Sequence, residues 1–90
     1  MATNSQNEQF FALADNFINL ANELAKTAGT SDTGAALRYA AARYNTFEAS
    51  LSTNNLAEEQ QKMVDMLCDD FRKMLDINMQ DYIQRLTENE

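Results

Sequence analysis

The chain contains no proline, and its two glycines, Gly29 and Gly34, both fall in one polar stretch, Thr27-Ala-Gly-Thr-Ser-Asp-Thr-Gly34. Proline stops a helix by removing an N–H and clashing with the turn before it. Glycine stops one through its backbone freedom. The residues that interrupt helices are therefore confined to one place. A second, softer break is Ser52-Thr-Asn-Asn55. Two breaks divide the chain into three helical segments.

The first segment is expected from about residue 5 to 28. Ser5-Gln-Asn-Glu8 has the capping-box form, in which hydroxyl and carboxylate each satisfy a free backbone N–H. Phe10, Ala14, Phe17, Ala21, Leu24 and Ala28 then recur at steps of three and four, the spacing of one helix face. Gly29 follows at the position of a C-terminal cap. The second segment is expected over 33–52, capped by Ser31 or Asp32. Its apolar stripe is Leu37, Ala40, Ala41, Tyr44, Phe47 and Leu51. Its other side is smooth, with Ala35, Ala42 and Ala49 seven apart, and suits a close-packed helix. The third segment is expected over 56–87, with Asn55 as cap and Glu58 three residues on. Its stripe is Met63, Val64, Leu67, Phe71, Met74, Leu75, Tyr82 and Leu86. Glu58–Lys62 and Asp69–Lys73 are spaced for ion pairs on an exposed face.

Short links between long helices predict an all-α, up-down-up three-helix bundle in a single domain, 1–90. The third helix is long: ~48 Å against ~30 Å for the second, at 1.5 Å per residue. Its end, with Ile77, Met79, Tyr82, Ile83 and Leu86, would overhang and expose apolar surface, which predicts a homodimer. Ninety residues bury only about 60–65% of their unfolded surface, so a staple is useful. One cysteine, Cys68, excludes an intrachain disulfide, and the absence of histidine removes the usual zinc set. Association is the remaining route.

Fourteen acidic against seven basic residues give a net charge of −7. That disfavours nucleic acid, whose binders cluster Lys and Arg. No apolar run approaches the ~20 residues of a membrane span. The start of the chain is polar and lacks the pattern of a signal peptide, so a cytoplasmic location is expected.

Few residues suggest chemistry. Serine and threonine have no histidine base, and no glycine-rich phosphate loop is present. Cys68 lies between apolar residues and the carboxylates Asp69 and Asp70, which favours inert packing. Glu58, Asp65, Asp69 and Asp76 line one side of the third helix, but Lys62 and Arg72 flank them, as on a solvated face. No metal, cofactor or catalytic residue is expected, and the chain reads as a non-enzyme. Of the methionines, Met66 lies off the main stripe and is, with Ile77, a candidate contact residue.

The polar positions that stand out are Asn19, Asn22, Glu23, Arg43, Asn45 and Asn78. Asn78 lies within the apolar stripe of the third helix, where a buried amide needs a partner and can fix register or oligomeric state. Glu23 and Arg43 are the best candidates for a two-toothed ion pair between helices. The leading functional expectation is an interaction or regulatory module working through protein–protein contacts. A ligand-binding or enzymatic role at Asn19, Glu23, Arg43 and Asn78 is the alternative. A third is an acidic inhibitor of a basic protein.

Three phrases carry a resemblance: Ile18-Asn-Leu-Ala-Asn-Glu23, Tyr39-Ala-Ala-Ala-Arg-Tyr-Asn45, and Phe71-Arg-Lys-Met-Leu-Asp-Ile-Asn78 with Asp81-Tyr-Ile83. With them the chain resembles, from about Phe10 to Ile83, a family of small bacterial proteins known as domain-of-unknown-function family 3144. The resemblance implies a compact helical protein with no assigned activity, and it supplies no catalytic residue.

Overall fold

The computed structural model describes Thr3 to Asn89, and among these residues every regular element is a helix. There are three: α1 (Asn4–Ala28), α2 (Thr30–Ser52) and α3 (Leu56–Glu88). The all-helical class, the number of helices and the long third helix are as the sequence predicts. The ends of the 1–90 domain, Met1, Ala2 and Glu90, lie outside the described residues.

Helix α1 begins one residue earlier than expected, because a different capping box closes it. The Thr3 Oγ1 accepts from the Gln6 N–H at 3.1 Å, and the Thr3 N–H donates to Gln6 Oε1 at 2.8 Å. Thr3-x-x-Gln6 has the same form as Ser5-x-x-Glu8. With no breaker between them, the helix runs back to the upstream box, and Ser5 is an ordinary helical residue. At the far end, Lys26 places positive charge where the helix dipole favours it.

Gly29 alone separates α1 from α2. Its N–H donates to the Ala25 carbonyl at 2.9 Å, and its own carbonyl accepts from the Thr33 N–H at 3.2 Å. It therefore ends one helix and opens the next. Its φ of 88° is the one positive φ among the described residues, a value that glycine reaches without a Cβ penalty. Ser31 and Asp32 consequently lie within the first turn of α2 and do not cap it. The α2 helix starts at Thr30 rather than at residue 33. The link is shorter than the two to five residues usual in an antiparallel helical hairpin.

Helix α3 starts as the sequence predicts. Asn55 Oδ1 accepts from the Glu58 N–H at 3.3 Å. Glu58 and Glu59 follow in the first turn and Arg85 lies in the last, both favourable to the dipole.

The chain divides into two units, Met1–Phe47 and Glu48–Glu90. In the first, the least exposed side chains of α1 are Ala14, Ala21 and Ala25, all half-buried. Thr33 is the one buried residue among those described. In the second, Leu56, Glu59, Met63 and Leu67 are half-buried at steps of three and four, and every residue from Cys68 to Asn89 is exposed. The single chain buries no hydrophobic side chain among the described residues. The stripes exist as helix faces, but spacing only gathers apolar residues on one side. Burial depends on what is laid against that side, and the stripe residues of α1, α2 and α3 mostly stay in solvent.

Candidate functional site

Of the polar residues singled out, Asn19, Asn22, Glu23, Arg43 and Asn45 lie in the first unit and Asn78 in the second. Asn19 and Asn22 are exposed on α1, and Asn45 is half-buried on α2.

Glu23 does not pair with Arg43. Its Oε2 accepts from Lys26 Nζ at 3.0 Å, three residues on along the same helix. Both side chains are more than two thirds exposed, so this pair contributes little. Arg43 turns to its own helix as well. Its Nη1 donates to the Tyr39 hydroxyl at 3.4 Å, and the guanidinium carbon lies 5.9 Å from the centre of the Tyr39 ring. That distance is within reach of cation–π attraction. Both residues thus find partners one turn away, at no cost in chain ordering beyond the helix itself.

Around Arg43, the side chains of Tyr39, Ala42, Thr46 and Phe47 line a depression on the surface of α2. Ala42 belongs to the smooth alanine series, and its small side chain leaves room between larger neighbours. The Thr46 hydroxyl donates to the Ala42 carbonyl at 2.8 Å, which satisfies it within the helix. Tyr44 and Phe47 stand 5.9 Å apart, ring centre to ring centre.

Asn78 is exposed in the single chain, where the sequence predicts a buried amide. Its Nδ2 donates to the Met74 carbonyl at 2.8 Å, four residues back. The amide oxygen stays available as an acceptor.

Two of the four carboxylates in the α3 row are engaged locally. Asp65 Oδ1 accepts from Gln61 Nε2 at 2.9 Å, and Asp69 pairs with Lys73 at 3.6 Å, as the spacing predicts. Lys62 lies 3.9 Å from Glu59, three residues back, rather than from Glu58. Among the described residues no group of three or more acidic or cysteine side chains is gathered for a metal ion. Cys68 is exposed rather than packed, in a depression on α3 lined also by Asp65, Met66, Asp69 and Arg72.

Two features escaped the sequence reading. The Tyr39–Arg43 contact has a visible signal, an aromatic and a cation four residues apart on a helix. Thr33 has none. Its hydroxyl is buried without a hydrogen-bond partner.

No helix of the described residues is long and apolar enough to cross a membrane. No curated protein and no solved structure matches the chain. A family model described as "Protein of unknown function (DUF3144)" matches residues 10–83, most of the length of the three helices, and the chain belongs to that family.

Proposed function

We propose that the protein is a non-enzymatic helical interaction module, acting in the cytoplasm, that completes its core by associating with protein, first of all with a second copy of itself. The observation that carries this reading is the exposure of large apolar side chains on all three helices, from Phe10 and Phe17 on α1 to Tyr82 and Leu86 on α3. Each Å² of apolar surface left in water forgoes about 25 cal/mol, which favours further packing, either of the helices on one another or of one chain on another.

The up-down-up bundle expected from the short links between long helices is the arrangement that would bring the three stripes together. The Thr53–Asn55 link suits a reversal between α2 and α3, whereas Gly29 alone would have to supply the reversal between α1 and α2. The helices differ in length by ten residues, 33 in α3 against 23 in α2, so such a bundle still leaves one end of α3 uncovered. That remainder is the argument for a dimer. Locally engaged polar residues support contact surfaces over chemistry: Glu23, Arg43 and Asn78 each bond within three or four residues on their own helix.

The test is equilibrium unfolding in urea, followed by helical circular dichroism over a hundredfold range of protein concentration. A cooperative transition whose midpoint rises with concentration is expected, because association stabilises the folded state by mass action. A midpoint independent of concentration would count against self-association. A broad, non-cooperative loss of signal would count against a packed core of any kind.

A further inference from the structure

We infer that Gly29 is a joint with two settings. One is the interruption seen between α1 and α2. In the other, less populated, the two run on as a single helix from Asn4 to Ser52. This joint is independent of the self-association reading above.

Little of the helix is missing at Gly29. Its N–H already donates to the carbonyl four residues back, Ala25, at 2.9 Å. Its own carbonyl already accepts from the N–H four residues on, Thr33, at 3.2 Å. Those are the two bonds a residue makes inside an α-helix. The interruption removes only the bonds that would span it, from the N–H groups of Thr30, Ser31 and Asp32 to the carbonyls of Lys26, Thr27 and Ala28. The two dihedral angles of one residue separate the two settings. In the interrupted one they are a φ of 88° and a ψ of 158°, a region open essentially to glycine alone. Backbone of this kind is concentrated at sites where chains clamp or switch.

Thr33 points the same way. Its hydroxyl is buried and unpartnered. Thr46 and Thr87, also within helices, donate to the carbonyl four residues back at 2.8 Å and 2.9 Å. For Thr33 that acceptor is the carbonyl of Gly29, the one residue of the stretch out of helical geometry. The interruption thus leaves an orphan hydroxyl that the continuous setting can satisfy.

The sequence holds a register through the joint. Ala14, Ala21, Ala28, Ala35, Ala42 and Ala49 stand seven residues apart, three on each side of Gly29. Residues seven apart stay near one side of a helix, drifting about 20° per step. The interruption breaks this angular relation between α1 and α2. The count has structural meaning across Gly29 only when that residue is helical. Glycine itself holds the balance, because it accepts the positive φ of the interruption and is a poor residue for the middle of a helix. A partner that fits one setting better shifts the populations by its difference in affinity.

The test places spin labels at Asn16→Cys and Arg38→Cys in a Cys68→Ser chain. Amide hydrogen exchange of Thr30, Ser31 and Asp32 and helical circular dichroism accompany the distances. A continuous helix sets the two labelled backbone positions about 33 Å apart, at 1.5 Å per residue. Gly29→Ala is the decisive variant, since it penalises the positive φ and favours the helix; Gly34→Ala, at a position already helical, is the control. The 33 Å distance, minor in the wild type, is expected to gain roughly tenfold or more over the other distances in Gly29→Ala, with slower exchange at the three amides. Gly34→Ala is expected to change neither. A Gly29→Ala chain with unchanged distances and exchange overturns the inference, and so does one that loses its helicity. A wild type that shows the 33 Å distance alone is one helix without a joint and overturns it too.

Discussion

At Gly29 the backbone has a φ of 88°, and no atom lies within 4 Å of where a Cβ would stand. At Gly34 the backbone is helical, and an added Cβ would meet only Arg38 Nη1 at 3.8 Å, an ordinary contact. The same substitution therefore has opposite signs at the two sites. Gly29→Ala forces an L side chain into a left-handed conformation and is expected to cost about 1–2 kcal/mol. Gly34→Ala removes backbone freedom from the unfolded chain and is expected to add about 0.5–1 kcal/mol. Urea denaturation of the two variants checks both signs, and equal effects would sink the assignment of Gly29 as the joint between helices. Thr33 offers a third residue-scale test. Its buried hydroxyl has no partner, and valine has the same shape without the polar atom. Thr33→Val should leave stability unchanged or raise it by up to about 1–2 kcal/mol. A loss of more than about 1 kcal/mol would show that the hydroxyl has a partner in solution.

Among the helices, α3 has the most direct start signal. Asn55→Ala removes the side-chain oxygen that accepts from Glu58 and should cost about 1 kcal/mol, against no change for Asn54→Ala as a control. Equal midpoints for the two variants in a thermal melt would show that the cap is dispensable. This cap, the break at Gly29 and the three helices were legible in the sequence because they depend on residues a few positions apart. The starts of α1 and α2 were less so. Two capping boxes overlap near the beginning, and nothing in the residues themselves says that the helix reaches the earlier one. Thr30-Ser-Asp-Thr33 reads as a polar break, yet one glycine suffices to interrupt the helix, which resumes at once. The partners of Glu23 and Arg43 were not legible either. A pair between helices was the expectation, but Lys26 and Tyr39 stand one turn away, and a partner on the same helix costs less ordering. Exposure was the least legible property. Leu37, Phe71 and Leu75 have the spacing of core residues, and spacing cannot say what covers them.

For the whole molecule, charge and apolar surface act in opposite directions. Each chain carries −7, so association brings two strongly acidic bodies together and repulsion between them opposes it. Contact through the exposed apolar side chains gains from burying them, a term that screening does not weaken. Salt reaches the two terms differently. The Debye length falls from about 30 Å at 0.01 M to about 8 Å at 0.15 M ionic strength, so long-range repulsion between copies fades while close apolar contact persists. Dimer affinity is therefore expected to rise several-fold between low and physiological sodium chloride, and then to level off. A contact made of ion pairs, such as an acidic surface seated on a basic one, has the reverse dependence and weakens steadily with salt. Sedimentation equilibrium across a sodium chloride series distinguishes the two. Affinity that falls as salt is added would place ionic contacts, and not apolar side chains, at the interface.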